Sequence, residues 1–193
     1  MYYENKIKVI DRVAIVTPTE EISYAEMLEN IRLFACYTPE QKEAKTIVFA
    51  ENSVEWIYSF FSIWQNKGIA IPVDASSTVD DVAYILNDAR PEAIWVSGQT
   101  EETARQAIEK AGVDTVVLRM DDLSGLAAHA ETKETGISFE DSDVCVILYT
   151  SGTTGFPKGV MLTFKNLLVN IDAISSKEVP IFNKNSSTLI LLP

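Results

Sequence analysis

The sequence predicts an α/β protein with layered sheets flanked by helices, on three observations. Short β-branched runs alternate along the chain with longer amphipathic segments. The amphipathic segments open on hydroxyl or amide caps and close at glycine or before proline. One continuous apolar run, "DVCVILYTS", reads as a strand buried on both faces, with a glycine-rich loop at its carboxyl end.

The elements follow in order. "RVAIVT" (12–17) is a strand. "SYAEMLENIRLFACY" is a helix, because Ser23 and Glu26 have capping-box spacing and Leu28, Ile31 and Ala35 recur on one face. "TIVFA" (46–50) is a strand, and "NSVEWIYSFFSIWQNKG" is a helix capped by Asn52 and Glu55 and stopped near Gly68. The aromatic residues of that helix, Trp56, Tyr58, Phe60, Phe61 and Trp64, read as a buried face. "IAIPVD" (69–74) is a strand, and "TVDDVAYILNDARP" is a helix with Thr78 as its cap, ending before Pro91. "AIWVS" (93–97) is a strand, "TEETARQAIEKAG" a helix ending at Gly112, and "DTVVLRM" (114–120) a strand. Its opening carboxylates at 101 and 102 complement the helix dipole. Residues 121–142 are polar and poorly periodic, a surface excursion. After the glycine-rich loop, "GVMLT" is a short strand and "FKNLLVNIDAISS" a helix with Leu167, Leu168 and Ile171 facing inward. "SSTLILLP" (186–193) is an apolar strand with no polar tail, which predicts that this chain is part of a longer protein.

Composition narrows the function classes. The chain has 193 residues, 47% of them apolar, enough for a sizeable core. Its 28 acidic against 16 basic residues, a net charge of −12, leave no basic cluster to neutralise a phosphate backbone, so nucleic acid is not an expected partner. The longest apolar candidate, "WIYSFFSIW" at 56–64, falls well short of the roughly 18 to 20 residues of a membrane span. The amino terminus has no signal-peptide pattern, and a cytoplasmic location is expected. Cys36 and Cys145 lack disulfide or metal spacing and read as packing residues. His129 is the only histidine and lies in a polar segment, which leaves no material for a Ser-His-Asp triad.

The chemistry is concentrated in "LYTSGTTGFPKGV", Leu148 to Val160. A loop at the carboxyl end of a buried strand in an open α/β sheet lies where such folds place ligands. Gly152, Gly155 and Gly159 let the backbone take positive dihedral angles and approach a bound group. Thr150, Ser151, Thr153 and Thr154 add hydroxyl donors, Lys158 adds a mobile cation, and Pro157 stiffens the turn. In so acidic a chain, this set of donors points to a polyphosphate. It is not the nucleoside-triphosphatase P-loop, because Gly159 follows Lys158 where that motif places Ser or Thr. Nor is it a dinucleotide fingerprint, since "GTTGFPKG" lacks the G-x-G-x-x-G spacing.

"YTSGTTGFPKGV" resembles the phosphate-binding signature of the adenylate-forming superfamily, which includes acyl-CoA synthetases, luciferases and peptide-synthetase adenylation domains. "ISYAEM" is similar to that family's "TYxEL" element. The stretch from "ENSVEW" to "AIWVS" is similar to the segment that carries its "P-x-D" and "YIL-x-D" elements. The likeness spans nearly the whole chain and implies that residues 1–193 are the incomplete amino-terminal portion of an AMP-binding domain.

The resemblance implies a two-step reaction. A carboxylic acid attacks the α-phosphate of Mg-ATP to form an acyl-adenylate and pyrophosphate, and a thiol, usually that of coenzyme A, then displaces AMP. Thr150, Ser151, Gly152, Thr153, Thr154 and Lys158 would hold the β- and γ-phosphates, with Gly155 and Gly159 shaping the loop. The family's magnesium-binding glutamate, its ribose-binding segment and its adenylating lysine would lie beyond Pro193, so no catalytic residue is expected within these residues. The preferred parent is a fatty acyl-CoA synthetase. The alternatives are an adenylation domain that loads an amino or aryl acid onto a carrier-protein thiol, and a non-catalytic nucleotide-binding protein. One departure is Phe164, where the family often has His.

Overall fold

The computed structural model describes residues 12–122, 139–150 and 157–174. Strands β1 (Val13–Val16) and β2 (Glu21–Ser23) form an antiparallel pair. The remaining elements are α1 (Tyr24–Ala35), β3 (Lys45–Phe49), α2 (Val54–Gln65), β4 (Ile69–Val73), α3 (Val79–Ala89), β5 (Ala93–Val96), α4 (Glu101–Ala111), β6 (Val116–Arg119), β7 (Val144–Thr150), β8 (Lys158–Thr163) and α5 (Phe164–Ile174). Six strands form one sheet in the order β6-β5-β3-β4-β7-β8, parallel except for β8, which runs antiparallel to β7.

The sheet is covered on both faces, which is why its central strands are apolar on both sides. On one face, α1 and α2 bury Ile31, Phe34 and Ile63 against Val48, Ala70 and Trp95. On the other, α3 and α4 bury Val82, Leu86 and Ala104 against Ile47, Ile71 and Ile94. Val144 opposes Thr163 while Val146 opposes Leu162, so Cys145 is an extra residue on β7 and forms a β-bulge. The bulge turns both Cys145 and Val146 toward the α1/α2 face. Burial pushes the Cys145 thiol up to about 11, and its backbone carbonyl accepts the Trp64 indole N–H at 2.9 Å. It is the packing residue that its strand context predicts. Phe164 is also core, stacked on Phe139 at 5.1 Å and edge-on to Trp64.

Several local expectations shift on inspection. α2 is capped by Ser53, whose hydroxyl accepts the Trp56 amide at 3.1 Å, and not by Asn52. At its other end Lys67 takes the left-handed conformation, with φ of 58°. Gly68 is required for space, because a Cβ there would lie 2.8 Å from the Ala44 carbonyl oxygen. In α1 the deepest residues are Met27, Ile31 and Phe34, with Leu28 and Ala35 only partly covered. Along α2, Tyr58 and Trp64 are buried, but Trp56, Phe60 and Phe61 are half-buried. In α5, Leu167 and Leu168 pack inward, whereas Ile171 is exposed although helical spacing puts it on the same face. His129 and "SSTLILLP" lie outside the described residues.

The Thr78 cap is a full capping box. Thr78 Oγ1 accepts the Asp81 amide at 3.3 Å, while the Asp81 carboxylate accepts from the Thr78 amide at 3.0 Å and from its hydroxyl. Those bonds, the side-chain one foremost, hold the Asp81 carboxyl below the usual range. The box therefore contributes fully above the ordinary carboxylate pKa and is lost as pH falls through the depressed one. Thr78→Ala should cost about 1 kcal/mol at neutral pH, read as a lower urea midpoint with an unchanged slope. An unchanged midpoint would show that the box adds nothing.

Candidate phosphate-binding site

The strand order creates a crevice. From β3 the chain crosses by α2 on one face to β4, and from β4 it returns by α3 on the opposite face to β5. The connections that diverge are those leaving β3 by α2 and β5 by α4, on opposite faces, so the strand order puts the switch point between β3 and β5. A cleft of about 650 Å³ lies one strand over, at the carboxyl ends of β3 and β4. Glu51 and Asn52 line it from the end of β3, Asp74 and Ser76 from the end of β4, and Trp56 and Leu148 from α2 and β7.

The cleft's polar walls are fixed by local bonds. Glu51 Oε2 accepts from Ser97 Oγ at 2.7 Å. Thr100 does not cap α4 with its side chain, because its hydroxyl donates instead to the Phe49 carbonyl at 2.6 Å. This bond ties the loop after β5 to the end of β3. Asp74 accepts from the Ser76 amide at 2.8 Å and its hydroxyl at 2.7 Å, and these bonds hold its carboxyl below the usual range.

The β7–β8 hairpin rises beside this cleft. In register, Leu148 opposes Val160, Tyr149 opposes Gly159, and Thr150 opposes Lys158. Directly opposed residues of an antiparallel pair share a face, and residues two apart along a strand share it too. Thr150 and Lys158 therefore stand on the same sheet face as Leu148, one step beyond the cleft wall. Both are exposed. Lys158 has no ion-pair partner among the described residues. A hydroxyl donor and an uncommitted ammonium on one face, at the carboxyl edge of the sheet, suit an anion.

Of the residues singled out from the sequence, the structure brings together Thr150, Lys158 and Gly159. Ser151, Gly152, Thr153, Thr154 and Gly155 lie outside the described residues. The reason for Gly159 differs from the expected one. Among the described glycines only Gly112 has a positive φ. At Gly159 a Cβ would lie 3.0 Å from Ile147 Cγ2 and 3.1 Å from Tyr149 Cζ. Glycine is there to make room for the tyrosine ring.

Tyr149 was not legible as a site residue. It reads as one more strand residue, yet its hydroxyl donates to Asp88 Oδ2 of α3 at 2.6 Å. Burial, then the bond to Asp88, pushes its phenol well above the ordinary tyrosine value, so it remains a donor. The cleft residues were also missed. Asn52 carried the signal of a helix cap and Trp56 that of a core aromatic, and only the strand order reveals that both face a crevice.

Comparison with known proteins finds a matching family and several relatives. A family model described as AMP-binding enzyme matches residues 4–193. Gramicidin S synthase 2 of Brevibacillus brevis is 31% identical over 171 residues, covering 87% of this chain and 4% of its own length. A probable CoA ligase, CCL9 of Humulus lupulus, is 29% identical over 150 residues, covering 74% of this chain and 28% of its own. The crystal structure of ATP-bound MatB from Rhodopseudomonas palustris superposes with a TM-score of 0.77 at 26% identity, covering 90% of this chain and 36% of that one. The chain thus spans well under half the length of each of these relatives. Among the described residues no helix is long and apolar enough to cross a membrane.

Proposed function

The chain belongs to the AMP-binding enzyme family, and from that membership we propose that it is the amino-terminal part of an ATP-dependent, acid-activating ligase. The observation that carries the reading is the pairing of Thr150 with Lys158 on one face of the β7–β8 hairpin, beside the cleft at the carboxyl ends of β3 and β4. Both side chains are free to donate to the β- and γ-phosphates of ATP, with Ser151, Gly152, Thr153, Thr154, Gly155 and Gly159 completing the loop. As a carboxylate attacks the α-phosphate, charge grows on the departing pyrophosphate. Lys158, already positioned, stabilises that charge more than it stabilises bound ATP, which is what lowers the barrier.

Magnesium would accompany the ATP.

For the acid and acceptor we propose a fatty acid and coenzyme A, the acceptor supported by the CoA-ligase relative. The second reading, an amino or aryl acid loaded onto a carrier-protein thiol, is favoured by the 31% identity to gramicidin S synthase 2. Acid-dependent exchange of labelled pyrophosphate into ATP by the full-length protein, screened over fatty, aryl and amino acids, separates the two. Stimulation by fatty acids is the expected result. Stimulation by amino or aryl acids alone would move the assignment to the carrier-protein reading, and no exchange with any acid would sink acid activation altogether.

A further inference from the structure

We infer that Tyr149 and Asp88 form a brace that positions the phosphate-binding hairpin, with Tyr149 acting as a positioning residue for ATP although it faces away from the phosphates. The inference rests on the ATP-binding reading given above and adds residues to that site.

β7 pairs with β4 in parallel register at Ala70 and Val146, and on its other side ladders with β8 from Val144 to Thr150. β8 is the edge strand of the sheet and is largely exposed. Lys158 is thus carried by the edge strand, whose position depends on its ladder with β7 and on contacts that tie the pair to the rest of the sheet.

The brace supplies such a contact. Tyr149 stands one rung before the Thr150–Lys158 pair, on the opposite face. Its ring passes over Gly159, where a Cβ would crowd it at 3.1 Å, and its hydroxyl reaches Asp88 near the carboxyl end of α3 at 2.6 Å. α3 is itself anchored in the core through Val82, Ile85 and Leu86. A phenol donating to a carboxylate is a charge-assisted bond, stronger than a neutral one. One interaction thus joins β7, β8 and α3, and fixes the tilt of the hairpin against the rigid part of the sheet. Positioning of this kind matters because small displacements of a binding group lose much of its effect.

The test measures the dissociation constant of Mg-ATP on the full-length protein, with its melting temperature, for wild type, Tyr149→Phe, Asp88→Ala, Asp88→Asn and the Tyr149→Phe/Asp88→Ala double variant. Loss of a hydrogen bond to a charged group should weaken Mg-ATP about tenfold in each of Tyr149→Phe and Asp88→Ala. The double variant should be no weaker than either single one, because the two residues act as a unit. Asp88→Asn, whose amide oxygen can accept the same phenolic proton, should recover most of the affinity. A purely structural role would lower the melting temperature and leave Mg-ATP binding within twofold of wild type, and that result would overturn the brace. So would additive losses in the double variant.

Acid-dependent exchange on the same proteins separates the two levels. Wild-type exchange together with unaltered Mg-ATP binding by Tyr149→Phe would refute the brace and keep the enzyme. Weakened binding without any exchange would keep the brace and refute acid activation. A wild type that binds no Mg-ATP would overturn both.

Discussion

Replacing Lys158 with alanine in the full-length protein is expected to lower acid-dependent ATP–pyrophosphate exchange by roughly 100-fold, the effect of removing one preorganised donor from developing charge. The melting temperature should stay within about 2 °C of wild type, since an exposed side chain with no ion-pair partner among the described residues adds little to stability. The two readouts together separate chemistry from folding. The loss should fall mainly on the rate at saturating ATP, because the ammonium serves the departing pyrophosphate more than the bound nucleotide. Exchange at the wild-type rate in this variant would remove the hairpin from the reaction.

Trp95→Ala is expected to be the most destabilising single change in the described fold. Trp95 is fully buried on β5, in the middle of the α1/α2 face, with its ring 5.1 Å from that of Phe34. Its indole N–H donates to Thr38 Oγ1 at 3.3 Å, and Thr38 in turn shares a 2.8 Å bond with Ser62 of α2. Asn66 donates to the Thr38 carbonyl at 2.8 Å and so completes a polar tie between α1, α2 and β5. Removing the indole leaves a cavity and loosens that tie, at roughly 3 to 5 kcal/mol. Such a loss corresponds to a fall of about 10 °C in the melting transition that includes this sheet. A variant that melts within about 2 °C of wild type would mean that the core collapses around the gap far better than close packing allows.

The sheet was legible in the sequence because its strands are short, β-branched and separated by capped helices. Ser23, Thr78 and Gly112 each sit at a predicted helix end. β2 escaped notice because it is three residues long and ends on Ser23, the same residue that caps α1. The α2 cap was misplaced by one because Asn52 and Ser53 are both good caps, and only the bond to the Trp56 amide decides between them. Ile171 was misjudged because helical periodicity places a residue on a face but does not say what covers that face.

The candidate phosphate-binding hairpin stood out for a different reason. Its hydroxyl residues, glycines and lysine are consecutive, so local composition reports them without knowledge of the fold. The brace behind it could not be read in that way. Tyr149 and Asp88 are 61 residues apart and meet only because β7 inserts beside β4, an order that no local pattern encodes. The cleft at the carboxyl ends of β3 and β4 is hidden for the same reason, since Glu51, Asp74 and Leu148 converge through strand order alone.

The most direct test is a crystal structure of the full-length protein with a non-hydrolysable ATP analogue and magnesium. The account predicts β- and γ-phosphate oxygens within about 3 Å of Lys158 Nζ and Thr150 Oγ1, over the hairpin face that carries Leu148. A nucleotide bound with its phosphates away from the hairpin, and Lys158 pointing into solvent, would contradict it.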